Sequence, residues 1–111
     1  MRLAEQTIEP RTHLIAVAGE LDSYGGNRLI ERISDMRVGY GHRLILDLTD
    51  MSFMDSGGLR GVLDAWLAVT TGHADFTLVV PRPGRARRVF EMTGKLDLLD
   101  VAGSREQALT E

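Results

Sequence analysis

Leu44-Ile45-Leu46-Asp47-Leu48 is an almost unbroken apolar run of strand length, the pattern of a central strand covered on both faces. A little further on, Leu59, Val62, Leu63, Trp66, Leu67 and Thr70 fall on one stripe of a helix, with Arg60 and Asp64 on the other side. A buried strand feeding an amphipathic helix is half of a strand–helix–strand unit. The pattern continues downstream. Phe76 to Val80 reads as the next strand, closed by Pro81-Arg82-Pro83, and a helix follows with Ala86, Val89 and Phe90 inward, stopping near Gly94. Leu98-Leu99-Asp100-Val101 reads as a short edge strand, and Ser104-Arg105-Glu106-Gln107 as a capping box before a last short helix.

Upstream, Leu29, Ile30, Ile33 and Met36 have helical spacing. Asp22 or Ser23 caps the start of that helix, Gly25 and Gly26 weaken its first turn, and Gly39 and Gly41 end it. Leu3 to Ile8 and His13 to Ala18, joined by Glu9-Pro10-Arg11, make an antiparallel hairpin. The order is β-β-α-β-α-β-α-β-α. It predicts a single α/β domain over residues 1–111, with a mixed, mainly parallel sheet of four to five strands and about four helices. In such sheets functional loops gather beyond the carboxyl ends of the strands, here Asp47 to Ser56 and Val80 to Gly84.

Composition narrows the function. The chain has 111 residues, so about two thirds of its unfolded surface is hidden on folding, enough for a core without metal or disulfide support. A net charge of −3 suits non-specific nucleic-acid binding poorly, and an aromatic share of 5% offers few base-stacking platforms. Zero cysteines exclude thiol catalysis, disulfides and cysteine-ligated metals. The start, Met1-Arg2-Leu3-Ala4-Glu5-Gln6, is no signal peptide, and apolar runs of about five residues fall far short of the ~20 that span a bilayer. A soluble, cytoplasmic protein is expected, with no cofactor, no metal, no direct nucleic-acid contact and no membrane insertion, and with a monomer as the default.

The chemistry concentrates in Thr49-Asp50-Met51-Ser52-Phe53-Met54-Asp55-Ser56-Gly57-Gly58-Leu59. Ser56 sits at the first turn of the strongest helix, where free amides unobstructed by side chains at Gly57 and Gly58 favour an anion. A phosphate on Ser56 adds about −1.5 to −2 charges beside the positive helix end, so the helix tolerates it. A partner packed over it meets a new dianion next to Asp55. Two blander readings stand beside this one. Ser56 or Asp55 can be an ordinary cap, and Phe53 and Met54 can be core plugs rather than partner contacts.

Leu44 to Leu67 resembles the STAS domain family of bacterial anti-sigma factor antagonists, on Leu46-Asp47-Leu48, Phe53-Met54-Asp55-Ser56 and Gly58-Leu59. Gly19-Glu20-Leu21-Asp22 is similar to the family's earlier signature, and Arg88-Val89-Phe90-Glu91-Met92-Thr93-Gly94 with Leu98-Leu99-Asp100 to its C-terminal part. The resemblance implies that a serine kinase, itself an anti-sigma factor, phosphorylates Ser56. The unphosphorylated chain binds that kinase and frees a sigma factor, and a phosphatase restores the binding form. It also implies that Asp22 and Asp55 lie at the partner surface. With them we group Ser23, Gly57, Gly58 and the suspected contacts Phe53, Met54 and Leu59, all without catalysis by this chain. Many members carry a second hydroxyl residue after the acceptor. Here that residue is Gly57, which leaves Ser56 as the sole acceptor in the motif and loosens the first turn by up to about 1 kcal/mol relative to alanine.

Rival readings are weaker. Asp55-Ser56-Gly57-Gly58 is similar to a serine-protease nucleophile segment, but a triad needs a histidine base. His13 and His42 fall near strand starts, at the sheet end opposite Ser56, and His73 follows the long helix. A small serine hydrolase is therefore remote, and three scattered histidines make no metal site. An alternative within the fold is a STAS interaction subunit of another complex, such as a lipid-transport ATPase, without a phospho-switch. Arg82, Arg85, Arg87 and Arg88 read either as a solvated helix face or as a contact for an anion, an acidic partner patch or a phosphate.

Overall fold

Leu44, Ile45 and Leu46 are fully buried in the middle strand of a five-stranded sheet ordered β1-β2-β3-β4-β5. The computed structural model describes residues 1–81, 84–94 and 99–110. Its strands are β1 (Arg2–Glu9), β2 (Thr12–Leu21), β3 (Arg43–Met54), β4 (Asp75–Val79) and β5 (Asp100–Ala102). Its helices are α1 (Ser23–Met36), α2 (Ser56–Thr71), α3 (Arg85–Thr93) and α4 (Arg105–Thr110). β1 pairs antiparallel with β2, and every later pairing is parallel, as the element order predicts. Arg82, Pro83 and Leu98, and the side chains of Arg85 and Ala86, lie outside the described residues.

Successive strands are added in one direction, so α1, α2 and α3 cross the same face of the sheet. That face carries the larger core: Ile15, Val17, Leu44, Leu46, Leu48 and Leu78 from the strands, under Leu29, Val62 and Phe90 from the helices. The alternate residues Leu14, Ile45 and Val79 point to the other face and meet Ala108 of α4. Truncating a fully buried leucine such as Leu46 to alanine removes about 2–5 kcal/mol of stability.

Three local readings of the sequence are corrected. β3 continues past Leu48 through the stretch read as loop, and ends only at Met54. Its register against β2 slips between Ala16 and Ala18 and again between Gly19 and Glu20, with the extra residues on β3. These bulges change the inward spacing from two to three, so Leu48, Met51 and Met54 all face the core. The buried seam of α2 is Gly58, Gly61, Val62, Ala65 and Val69, not the large-residue stripe, and Leu67 is exposed. Finally, α1 ends on Arg37 in the left-handed conformation, φ 54°, ahead of both glycines named for that role.

The small residues of α2 are required by its neighbour. A β-carbon on Gly61 would lie 2.5 Å from the Cα of Gly26 on α1, backbone against backbone. Helix propensity alone predicts that Gly61→Ala stabilises by up to about 1 kcal/mol. The packing predicts the opposite sign. Gly61→Ala is expected to lower unfolding free energy by about 1–3 kcal/mol in urea titrations.

At the amino ends of the parallel strands His13 and His42 stack, with His13 Nε2 2.9 Å from His42 Nδ1. His13 is buried and its Nδ1 has no partner. Burial first, and the neighbouring His42 second, hold the His13 pKa below the ordinary histidine value. The folded state therefore prefers the neutral ring, so the stability it contributes is present above the unfolded value of about 6.5 and falls as pH drops through it. Chemical denaturation between about pH 7.5 and 5.5 should show this decline, with a shallower slope in His13→Phe.

Candidate functional site

β2 and β3 run parallel and finish level, with Leu21 paired to Met54. Each is followed at once by Asp-Ser and a helix: Asp22-Ser23 opens α1 and Asp55-Ser56 opens α2. Asp22 Oδ1 accepts from the Gly25 amide at 2.8 Å, and Asp55 Oδ1 accepts from the Gly58 amide at 2.9 Å. The two helix starts are therefore twins, and the amide of Asp55 donates to the Leu21 carbonyl at 3.3 Å to tie them together.

This resolves which residue is the cap. Asp55 caps α2, and Ser56 is the first helical residue, exposed, with no hydrogen bond from its hydroxyl to a described residue. Ser23 stands in the same position on α1 and is also exposed. Of the residues singled out for partner contact, Asp22, Ser23, Phe53 and Asp55 are exposed, and Gly57 and Leu59 are half-buried. Met54 and Gly58 are buried. Met54 belongs to the core, and its strand neighbour Phe53 points the other way and stays outside at 48% exposure. Tyr24, in the first turn of α1, is 72% exposed and extends the apolar rim. Sequence reading passed over it, although the repeated Asp-Ser-x-Gly at 22–25 and 55–58 marks it as the counterpart of Gly57.

Gly57 is explained by the neighbouring helix. A β-carbon there would overlap the Ser23 hydroxyl and sit 2.9 Å from Ser23 Cβ and 3.0 Å from Ser23 Cα. Ser23 thus fills the space that a side chain at 57 would need, so the glycine serves a close approach as well as a flexible turn. Further back along β3, Asp47 is buried, and its carboxylate accepts from the Thr49 amide at 2.9 Å and from Arg105 Nε at 3.0 Å. It straps α4 to the sheet.

The histidines stay away from Ser56. His13 and His42 adjoin the first residues of β2 and β3, and His73 stacks obliquely on Tyr40 with its carbonyl accepting from the Gly41 amide. Twelve residues of β3, at roughly 3.3 Å each, separate His42 from the Ser56 end, so no serine–histidine pair is assembled there. Among the described residues no group of His, Asp or Glu forms a metal cluster, and no helix is long and apolar enough to cross a membrane.

The STAS domain family model matches residues 4–108. The chain belongs to the STAS domain family. A relative from Listeria monocytogenes, an anti-sigma-B factor antagonist, is 33% identical over 87 residues, covering 78% of this chain and 75% of its own. An anti-sigma factor antagonist from Mycobacterium paratuberculosis superposes with a TM-score of 0.82 at 21% identity, over 98% of this chain and 91% of the other. The phosphorylated form of SpoIIAA, a Bacillus cell fate determinant, superposes with a TM-score of 0.67 at 23% identity, over 98% and 97%.

The Ser23–Gly57 contact sets this STAS domain's tolerance at the motif. Gly57→Ser is expected to cost about 1–3 kcal/mol through steric overlap at the twin helix starts. The same substitution in a Ser23→Gly background should cost measurably less. A double-mutant cycle by urea denaturation measures the coupling, and additive losses would contradict the contact.

Proposed function

We propose that this chain is an anti-sigma factor antagonist. In its unphosphorylated form it binds a cognate anti-sigma factor that is also a serine kinase, and so frees a sigma factor. Phosphorylation of Ser56 ends that binding, and a serine phosphatase reverses it. The observation that carries the reading is the division of labour at α2: Asp55 makes the cap, so the exposed Ser56 hydroxyl is left available. The names of the relatives agree, since the Listeria protein is an antagonist of an anti-sigma-B factor and SpoIIAA exists in a phosphorylated form.

The physics of the switch follows from that arrangement. A phosphoryl group on Ser56 lies at the positive end of α2 and leaves the Asp55–Gly58 bond intact, so the domain keeps its fold. The partner surface changes far more. Asp22, Ser23, Phe53, Asp55, Gly57 and Leu59 offer an apolar patch with two carboxylates, whereas Met54 and Gly58 support it from beneath. A dianion added next to Asp55 must be desolvated when a partner closes over it, and it repels any acidic neighbour. The proposed setting is the cytoplasm, where kinase, phosphatase and sigma factor meet.

Ser56→Ala and Ser56→Asp should both unfold within about 0.5 kcal/mol of wild type, since neither touches the cap. Pull-downs from native cytosol, read by mass spectrometry, separate their binding. Wild type and Ser56→Ala should recover a serine kinase with an ATP-binding domain, and Ser56→Asp should recover at least tenfold less. Equal recovery by all three baits, transport subunits in particular, would sink the phospho-switch and leave the STAS fold standing.

A further inference from the structure

Four arginines lie between positions 82 and 88, and the structure separates the two whose side chains are described. Arg88 is exposed, as a solvated helix face requires. Arg87 is only 8% exposed. Its Nη2 donates to the Val80 carbonyl at 2.6 Å, while its Nε is buried and meets no acceptor. Among the described residues no carboxylate pairs with it. A guanidinium keeps its charge, and one so nearly buried without a carboxylate beside it favours an anionic partner.

Arg87 lines a cavity of about 590 Å³ at the carboxyl ends of β4 and β5, with Val101, Gly103, Ser104 and Gln107. The polar groups there are one-sided. Ser104 Oγ accepts from the Gln107 amide at 3.0 Å, which leaves its O–H to donate. Gln107 Oε1 accepts from the Gly103 amide at 2.7 Å, which leaves its side-chain NH2 to donate. With the guanidinium, these side chains present donors and positive charge, while Ser104 Oγ and Gln107 Oε1 each already accept an amide hydrogen. We propose that this cavity binds a small oxyanion, the phosphoryl or carboxylate group of a small molecule, with Arg87 as the anchoring cation and Ser104 and Gln107 as flanking donors. The guanidinium fork matches either oxyanion, and the cavity has the size of a small-molecule site rather than of a bare ion. None of the residues proposed to meet the kinase takes part, so this site stands or falls independently of the Ser56 reading.

The test is amide NMR on the whole chain, titrated with inorganic phosphate and separately with citrate in a buffer free of other oxyanions. Saturable shifts at Gly103, Ser104 and the Arg87 Nε–H are expected, with a dissociation constant on the order of 1 mM or tighter for at least one probe. A response to phosphate alone assigns a phosphoryl ligand, and a response to citrate alone assigns a carboxylate. Gln107→Glu is the decisive variant. Gln107 is exposed, the new carboxylate still accepts from Gly103, and its charge faces the same cavity as Arg87, so affinity should fall at least tenfold. Arg87→Met should do the same, and Ser56→Ala should bind like wild type. The proposal is overturned if neither probe gives a saturable response, or if Gln107→Glu binds as tightly as wild type.

Discussion

The parallel pairing of β2 with β3, level at Leu21 and Met54, is the constraint on which the rest of the site depends. Because the strands finish together, the helices that follow begin together, and two Asp-Ser starts are brought side by side. Helix starts this close leave no room for side chains between them. Gly57 yields its space to Ser23, Gly58 lies against the Leu21 carbonyl, and Gly61 meets Gly26. Ser56 is thus placed by the sheet, directly after β3, rather than carried on a long loop.

The identity of the cap decides what a modification at Ser56 would do under the proposed function. Were Ser56 the cap, its modification would remove a cap worth about 1 kcal/mol and loosen the helix that presents it. Asp55 is the cap, so a group added to Ser56 would leave the Asp55–Gly58 bond in place. The proposed switch would then act through charge on a preformed surface, with the complex rather than the domain as its two-state element. A fold with a single state is compatible with regulation when the second state belongs to the partner.

Much of this was legible in the sequence, and the misses have local causes. Leu44 to Leu48 and the hairpin of Leu3 to Ile8 with His13 to Ala18 announce themselves by apolar content and turn residues, and the alternation of elements points to the mainly parallel sheet. Thr49 to Met54 hid as a loop because bulges replaced the period of two by a period of three, which no strand pattern anticipates. Leu67 was drawn inward because size suggests burial, while the true seam of α2 is made of glycine and alanine by the nearness of α1. Sequence does not choose between Asp55 and Ser56 as the cap, since both residue types serve and only geometry separates them. Met54 and Phe53 are neighbours of similar hydrophobicity, and strand alternation sends one to the core and the other to solvent.

Among the described residues only two buried side-chain nitrogens lack a partner, His13 Nδ1 and Arg87 Nε, and they differ in what they demand. An imidazole can stay neutral. If His13 Nε2 donates to His42, its Nδ1 is left as an unfilled lone pair, and the orphan costs little. Burial first, and the neighbouring His42 second, lower the His13 pKa and so favour the neutral ring. A guanidinium has no such escape, and Arg87 has one carbonyl where its donors call for several acceptors. The two orphans therefore differ in meaning: the histidine can remain neutral, whereas the arginine keeps its charge, and the proposed oxyanion would answer it.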